Sequence, residues 1–302
     1  MSLLWIPPTL GAASFQVARN SVQRRMLDAA GPWGATLVRF LFGLPFAALL
    51  AGAAWLQLGA AAPRAGPAFW IAASAAALSQ ILATAAMLVS MRRSSFALGT
   101  LFQQSAIPLS ALIGLALGEP LSAARWAGIG LVTAGVLALG WPGQGQVTER
   151  GGRRERRMGL ALILGLIAGA GFAAASNAAR QAALALLPDA PVRAALLTLL
   201  AVQGLQAAGL TLWLALTDRA ALAALFRGWR ASLAAGALGT CGSGLWFIAF
   251  ALSPVGPVRA LGVLEMPLAA LAGRRLFAER FTPFHTVMML VIAGGVGLAA
   301  LG

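Results

Sequence analysis

The chain has 302 residues, of which 60% are hydrophobic and only 10% are charged, and its mean hydropathy is +0.83. Soluble domains are about half apolar and a quarter charged, so this composition excludes a soluble globular protein. The net charge is +14 and every basic residue is arginine. Because the arginines gather at the ends of apolar runs, they indicate helix-end anchoring and not a nucleic-acid surface.

Apolar runs long enough to cross a bilayer follow one another along the whole chain. A membrane helix needs about 20 apolar residues, and runs bounded by charge, proline or glycine predict ten spans. The predicted spans are 3–23, 33–56, 67–91, 95–117, 123–141, 158–180, 192–216, 230–252, 256–277 and 283–301. The N-terminal residues lack the basic region of a signal peptide, and we interpret them as the start of the first span. The expected fold is all-α, a polytopic membrane protein.

One glycine-rich, basic segment at the middle of the chain predicts a linker, residues 142–157. It divides a unit of five spans, residues 1–141, from a second unit of five, residues 158–302. The arginines concentrate in the loops that follow odd-numbered spans. The positive-inside rule then places these loops in the cytoplasm and both termini outside.

The two units resemble each other in an ordered series of matches, which indicates an internal repeat. The matched pairs are Phe15 with Phe172, Asn20 with Asn177, Pro108 with Pro267, Glu119 with Glu279, and Gly135 with Gly295. Because five is an odd number, the second copy must enter the membrane from the opposite side. The repeat therefore predicts two inverted five-helix copies around a central cavity, as in many secondary transporters.

Polar side chains recur at helical spacing inside the spans, so they share faces that should turn inward. An unpaired amide in lipid costs several kcal/mol, so each one either locks helices together or lines a wet cavity. For the set we predict lining of a substrate site, with Trp246, Phe247, Phe15 and Phe172 as apolar walls. The candidates are Gln16, Asn20, Gln80, Gln103, Gln104, Asn177, Ser243 and Trp246.

Pro108 and Pro267 occupy matching positions of the two units. Each removes a helical hydrogen bond to the carbonyl four residues earlier and can kink its span. Matched interrupted spans are the best sequence pointer to a transporter site, and we predict that the two prolines shape the gating helices. The alternative is a tolerated proline in a packed helix.

Charged residues inside the spans are few, and each is a functional hypothesis because charge is costly in lipid. Glu265 either carries a coupling proton or pairs with an arginine to fix the packing. The second role is preferred, since the first unit has no acid at the matching place. Arg19 and Arg259 either hold a substrate carboxylate or extend toward the interface. Arg39 and Arg180 also stand inside predicted spans.

Enzymatic interpretations have little support in this sequence. A single cysteine, Cys241, and a single histidine, His285, exclude an intrachain disulfide and a multi-histidine zinc site. We expect no cofactor and no metal, and no phosphate-binding loop motif occurs. Ser243 with His285 would be needed for an intramembrane serine hydrolase, which we keep only as an alternative, so no enzyme is expected.

Residues 96–139 resemble the repeat unit of the EamA family in the drug/metabolite transporter superfamily. The similarity rests on Pro108, on Gly118, Glu119 and Leu121, and on the glycines of the next span, and the second unit repeats it less faithfully. Phe15 followed by Arg19 is also similar to the family pattern. The resemblance implies ten helices, alternating access and a likeness to bacterial aromatic amino acid exporters. It also implies cytoplasmic termini, in conflict with the arginine distribution.

We therefore expect a broad-specificity amino acid exporter of the bacterial inner membrane. A cavity of amides and hydroxyls with aromatic walls and scarcely any fixed charge suits a zwitterion, and would bind a multiply charged anion poorly. The expected partners are amino acid substrates and membrane lipid, with no nucleic acid, and the chain is expected to be monomeric. The alternatives are efflux of drugs or other metabolites, an intramembrane hydrolase, and a helical scaffold that transports nothing.

Overall fold

The computed structural model describes residues 3–57, 62–94, 96–140, 152–265 and 283–301, and within these ranges it is helical without strands. The expected all-α class is confirmed for this part of the chain. The helices are α1 (Ile6–Leu41), α2 (Leu44–Gln57), α3 (Pro67–Arg93), α4 (Phe96–Phe102), α5 (Ala106–Ala116), α6 (Ala123–Gly140), α7 (Gly152–Leu186), α8 (Pro191–Thr217), α9 (Arg219–Arg227), α10 (Trp229–Leu252), α11 (Val255–Gly262) and α12 (Pro283–Leu301).

Among the described residues, five helical segments are long and apolar enough to cross a membrane. They are Ala30–Leu56, Pro67–Arg93, Gly159–Leu186, Pro191–Thr217 and Trp229–Leu252. Two shorter apolar helices, Ala123–Ala138 and Leu290–Leu301, accompany them. The protein is thus a helical membrane protein by length and composition.

The distribution of side chains is the reverse of that in a water-soluble domain. Large apolar residues such as Leu56, Ile71 and Leu216 are 72–85% exposed on the outer surface. Amides such as Gln23 and Gln206 are buried among the helices. An outer surface in hydrocarbon accepts leucine without cost, whereas a polar group there would lose its hydrogen bonds.

α1 differs from the prediction, which placed a loop between spans 3–23 and 33–56. The helix instead continues to Leu41 and is broken only at Gly31, where φ is 63° and ψ is 179°. Glycine adopts this positive φ without a Cβ clash, and Pro32 then restarts the helix with its φ already fixed. The amide nitrogen of Gln23 donates to the Ala35 carbonyl at 2.7 Å and ties the two arms together.

A second interruption separates α1 from α2 at Phe42 and Gly43. Gln203 of α8 donates to the Phe40 carbonyl at 3.1 Å, and the Thr240 hydroxyl of α10 donates to the Gly43 carbonyl at 3.0 Å. The Gly43 carbonyl also accepts from the Ala47 amide at 3.0 Å, as in a helical turn. Gln203 therefore gives the Phe40 carbonyl a partner in an apolar setting, and both side chains hold α8 and α10 against the break.

The predicted span 95–117 is also interrupted. A 3-10 turn, Gln103–Ser105, divides α4 from α5, and Pro108 lies in the first turn of α5. Proline is tolerated there because the amide hydrogens of a first turn have no helical acceptor. Pro267, its predicted counterpart, lies outside the described residues.

α7 begins at Gly152, inside the segment predicted as linker, and ends at Leu186, six residues beyond the predicted end of its span. α7 packs along α3, α10 packs along α1, and α12 packs along α6. Gly171 allows the first of these contacts, because a Cβ there would lie 2.9 Å from Ala83 Cβ and 3.1 Å from the Ser79 carbonyl oxygen. Small residues let membrane helices approach this closely.

The α6–α12 contact provides a test of this packing. A Cβ at Gly128 would lie 2.7 Å from the Gly295 carbonyl oxygen, whereas a Cβ at Gly130, on the exposed face of the same helix, would meet nothing within 4 Å. Gly128→Ala should destabilise the protein by about 1–3 kcal/mol through overpacking. Gly130→Ala should leave stability unchanged or raise it slightly, because alanine favours helix.

The midpoint of thermal aggregation in detergent measures both variants. Equal midpoints for Gly128→Ala and Gly130→Ala would contradict the close approach of α6 and α12.

Candidate functional site

A narrow polar cavity lies among the helices, near the middle of the long apolar segments. It contains about 370 Å³ of empty space, part of it open to the surface, and in this conformation it has room for little more than water. Side chains of α1, α3, α7, α10 and α11 surround it. The lining residues are Gln16, Arg19, Arg39, Gln80, Phe172, Ala175, Ser176, Ser243, Trp246, Phe247, Phe250 and Arg259.

Arg39 reaches the cavity from the last turn of the second arm of α1 and is 2% exposed. Its Nη1 donates to the Thr84 hydroxyl of α3 at 3.2 Å, and its Nη2 donates to the Ser243 hydroxyl of α10 at 2.9 Å. Both acceptors are neutral hydroxyls, so these hydrogen bonds place no opposite charge beside the guanidinium.

Arg19 enters from the first arm of α1 and is also 2% exposed. Its Nε and Nη2 both donate to Asn20 Oδ1, at 3.1 and 2.7 Å. The rigid fork of the guanidinium favours such paired bonds. Asn20, which we predicted to line the site, is 1% exposed and orients Arg19 from outside the cavity lining.

Arg259 of α11 is held by a hydroxyl and by aromatic rings. Its Nε and Nη2 donate to Ser176 Oγ at 3.1 and 2.5 Å. Its Cζ lies 4.9 Å from the ring centre of Trp246, 5.3 Å from that of Phe250 and 5.8 Å from that of Phe172. A guanidinium at these distances is attracted to the ring faces.

Glu265 lies behind the cavity wall, 3% exposed, just after the end of α11. Its Oε1 accepts from Gln104 at 2.5 Å and from Gln103 at 3.2 Å, and its Oε2 accepts from Gln16. Three amides from α1 and the 3-10 turn thus converge on one carboxylate, an arrangement we call the Glu265 clamp. It joins the first unit of the chain to the second.

The charges of the cavity influence one another. Arg19 and Arg259 lie close enough to Glu265 for attraction, and Arg39 lies close enough to Arg19 for repulsion. No described arginine forms an ion pair with Glu265 within 4 Å. The clamp is therefore built from amides, where we had preferred an arginine partner.

Two predicted amides are fixed by other polar side chains at the cavity wall. Gln16 accepts from the Trp246 indole nitrogen at 2.8 Å, and Gln80 accepts from the Gln206 amide at 2.7 Å. Trp246 stacks on Phe250 with ring centres 5.5 Å apart. Gln16, Gln80, Ser243 and Trp246 are thus brought together at the cavity.

Other predicted lining residues have different positions. Asn177 is buried between helices, where its amide nitrogen donates to the Ser110 carbonyl at 3.2 Å and the Ala173 carbonyl at 3.0 Å. It locks α7 against α5. Gln103 and Gln104 bind Glu265 and are absent from the lining. Phe15, predicted as an apolar wall, is 36% exposed on the outer surface.

The structure adds Arg39 and Ser176 to the lining, places the predicted apolar wall residue Phe172 there, and overturns the expectation of scarcely any fixed charge. Arg39 was visible in the sequence as an arginine inside an apolar run, which is the signal that marks it as functional. Its partnership with α3 and α10 was not visible, because the break at Gly31 decides where the second arm of α1 points.

An ion pair ties the ends of three helices on one side of the cavity. Arg180 Nε lies 2.7 Å from Glu119 Oε1, and both side chains are 13% exposed. Arg180 Nη1 also donates to the carbonyls of Phe250, at 2.5 Å, and Ala251, at 3.3 Å. Glu119 follows α5, Arg180 belongs to α7 and Phe250 lies at the end of α10, so this contact joins the two units.

The Glu265 clamp yields a stability prediction. Glu265→Leu leaves three buried amides without their acceptor, at about 1–3 kcal/mol for each unsatisfied group. Glu265→Gln keeps an oxygen acceptor at the same place. Both variants remove the negative charge, so the difference between them isolates the hydrogen bonds. We expect Glu265→Leu to have the lower midpoint of thermal unfolding in detergent, and equal midpoints would show that the clamp contributes nothing.

No protein-family model matches this chain. No curated protein matches it either. Among solved structures, 24 chains are similar to it. One of them, titled only as a crystal structure of a protein, covers 96% of this chain and 98% of its own length, with a TM-score of 0.57 and 19% sequence identity. At that identity the likeness concerns the fold alone.

Proposed function

We propose that the protein is a secondary transporter that exports amino acids across the bacterial inner membrane by alternating access. In this proposal the chain has ten spans, arranged as two inverted five-helix copies, and belongs to the EamA family of drug/metabolite transporters. The observation that carries the proposal is the cavity itself. Three arginines, two glutamines and two serines surround a hollow inside helices whose outer surfaces are apolar, and such groups at membrane depth mark substrate pathways.

The helix contacts support an internal two-fold relation. The first arm of α1, in predicted span one, packs on α10, in predicted span eight, where a Cβ at Gly242 would lie 3.2 Å from Phe15 Cβ. If spans one to five match spans six to ten, the equivalent contact joins spans six and three. These are α7 and α3, which pack along each other extensively. The second arm of α1 also contacts α10, since a Cβ at Gly239 would lie 3.1 Å from Arg39 Cβ. Inverted-repeat transporters bind substrate where the copies meet.

Interrupted helices support the same proposal. The turn between α4 and α5 and the end of α11 meet at the Glu265 clamp. Non-helical backbone at membrane depth is tolerated only where protein buries it or where it borders a cavity. The two interruptions lie in the predicted fourth and ninth spans, which correspond in the two copies.

The dimensions of the cavity favour a mechanism in which the helices move. Since the hollow has room for little more than water, a substrate enters only when the helices separate. The Arg180–Glu119 ion pair closes one side by tying α7, the end of α5 and the end of α10. Breaking this contact while the opposite side closes would expose the cavity alternately to the two sides of the membrane.

The lining suits a small amphipathic molecule. Ser243 and Gln80 offer hydrogen bonds, and the rings of Phe172, Trp246 and Phe250 form an apolar wall. Small-molecule sites combine a mostly apolar surface with a few placed polar groups. Amino acids with apolar or aromatic side chains have this combination, and drugs or other metabolites remain the alternative cargo.

Counterflow in proteoliposomes tests the proposal. Purified protein is reconstituted with unlabelled amino acid inside, and entry of the labelled compound is followed for a panel of amino acids. We expect acceleration for aromatic and large apolar amino acids. If no amino acid accelerates the entry of label, the proposal that amino acids are the substrate is wrong. If amphipathic metabolites do not accelerate it either, the scaffold that transports nothing becomes the better interpretation.

A matched pair of tryptophan variants connects transport to the cavity. Trp246→Leu removes a ring of the cavity wall, and Trp70→Leu makes the same change at a side chain that is 46% exposed on the outer surface. We expect the first to raise KM about tenfold, equivalent to about 1.4 kcal/mol, and the second to leave it unchanged. Ser243→Ala should only alter the KM of an exporter, whereas the same change would abolish the activity of a serine hydrolase.

A further inference from the structure

We infer that the arginines of the cavity form a carboxylate-binding site that prefers amphipathic monoanions to zwitterions and cations. The inference rests on the proposed transport function and goes beyond its amino acid substrate. It ranks compact monocarboxylates, which belong to the metabolites kept as alternative cargo, above zwitterionic amino acids. The expected ligand has one carboxylate and an apolar or aromatic body, and it lacks an ammonium group.

The lining of the cavity is positively charged. Arg19, Arg39 and Arg259 all border the cavity, and no aspartate or glutamate is among the described lining residues. Glu265, the nearest described carboxylate, is behind the wall and has both oxygens engaged by amides. The three positive charges of the lining exceed the one negative charge that Glu265 supplies, so the cavity presents a positive surface.

The three cavity arginines donate their hydrogen bonds to neutral groups. Arg39 donates to two hydroxyls, Arg19 donates to one amide oxygen, and Arg259 donates to one hydroxyl and, at 3.4 Å, to the Phe172 carbonyl. All these acceptors are neutral. A guanidinium binds a carboxylate more strongly than a neutral oxygen, because the hydrogen bonds are charge-assisted and often paired. A carboxylate in the cavity can thus improve on these bonds.

An apolar wall of aromatic rings stands beside the cavity arginines. Trp246, Phe247, Phe250 and Phe172 border the same hollow as the arginines. The rings of Trp246 and Phe250 lie under the Arg259 guanidinium, 4.9 and 5.3 Å from its Cζ. The rings lie close to the arginines, so a ligand whose carboxylate binds the arginines places its apolar body against the rings. This arrangement favours a compact aryl or alkyl carboxylate.

The ammonium group of an amino acid meets no carboxylate among the lining residues that the structure describes. Charges of the same sign repel strongly where water is scarce, since the effective dielectric constant is far below that of bulk water. The carboxylate of a zwitterion is attracted to the arginines, but repulsion between the arginines and its ammonium group cancels part of that attraction. A cation with the same body gains nothing from the arginines.

Three ligands with one aromatic body separate these cases. Equilibrium binding to the full-length protein in detergent at pH 7 is measured calorimetrically for 3-phenylpropionate, L-phenylalanine and phenethylamine. We expect 3-phenylpropionate to bind about tenfold or more tightly than L-phenylalanine, and phenethylamine not to bind. Chloride should compete only weakly, because it lacks the apolar body.

Arg39→Gln should remove most of the preference of the site for the anion, and Arg39→Lys should keep part of it because the charge remains. Arg92→Gln is the matched control, since Arg92 lies at the end of α3 with a side chain that is 58% exposed and paired with Asp28. The control should bind all three ligands as the wild type does. If Arg39→Gln does not fold, the wild-type ligand series alone decides.

The outcomes distinguish this inference from the proposed function. Binding and counterflow of L-phenylalanine with equal or weaker binding of 3-phenylpropionate would overturn the carboxylate preference and leave amino acid export in place. Competition by chloride as strong as that by 3-phenylpropionate would assign the site to inorganic anions and also overturn it. No binding and no counterflow for any of the three ligands would overturn both.

Discussion

The cost of placing charged and amide groups inside an apolar helical bundle governs this structure. A guanidinium or an amide that leaves water must regain hydrogen bonds within the protein, or it destabilises the fold. Arg39 finds them in Thr84 and Ser243, and Arg19 finds them in Asn20. These contacts draw α1, α3 and α10 together around the cavity. The outer surface carries leucine and isoleucine, which lipid accommodates without cost.

Breaks in the helices make this internal network possible. A continuous helix satisfies its own backbone and presents its side chains at fixed intervals, so it cannot redirect a particular residue. The break at Gly31 changes the direction of α1, so Arg19 in its first arm and Arg39 in its second arm both face the cavity. The turn at Gln103–Ser105 places two adjacent amides on Glu265. Side chains stabilise two of the breaks: Gln23 donates to the Ala35 carbonyl across the first, and Gln203 donates to the Phe40 carbonyl at the break between α1 and α2.

The electrostatic character of the cavity emerges only when distant parts of the chain are combined. Arg19 and Arg39 belong to the first unit and Arg259 to the second, and in the sequence each is an isolated charge in an apolar run. Their meeting produces a positive surface beside aromatic rings. At an effective dielectric constant of about 20, two charges about 4 Å apart interact by about 4 kcal/mol. Selectivity at such a site therefore depends on the charge of the ligand as much as on its shape.

The amino-acid sequence alone determined the helical class, the membrane character and the presence of polar faces inside apolar segments. These properties depend on composition and on periodicity, which are local. It also marked Gln16, Gln80, Ser243 and Trp246, which do line the cavity. The interruption near Pro108 was likewise visible, since proline removes a backbone donor wherever it stands.

Only the tertiary structure decided which polar residues lock helices and which line the hollow. Asn177 binds carbonyls of α5 and α7, whereas Ser176, its neighbour in the chain, holds Arg259 at the cavity. Helix periodicity separates adjacent residues by about 100° and cannot say which neighbouring helix each will meet. In lipid, apolar side chains do not drive helices together as they do in water. Close packing and specific hydrogen bonds therefore set the final rotation of each helix, and these involve residues far apart in the sequence.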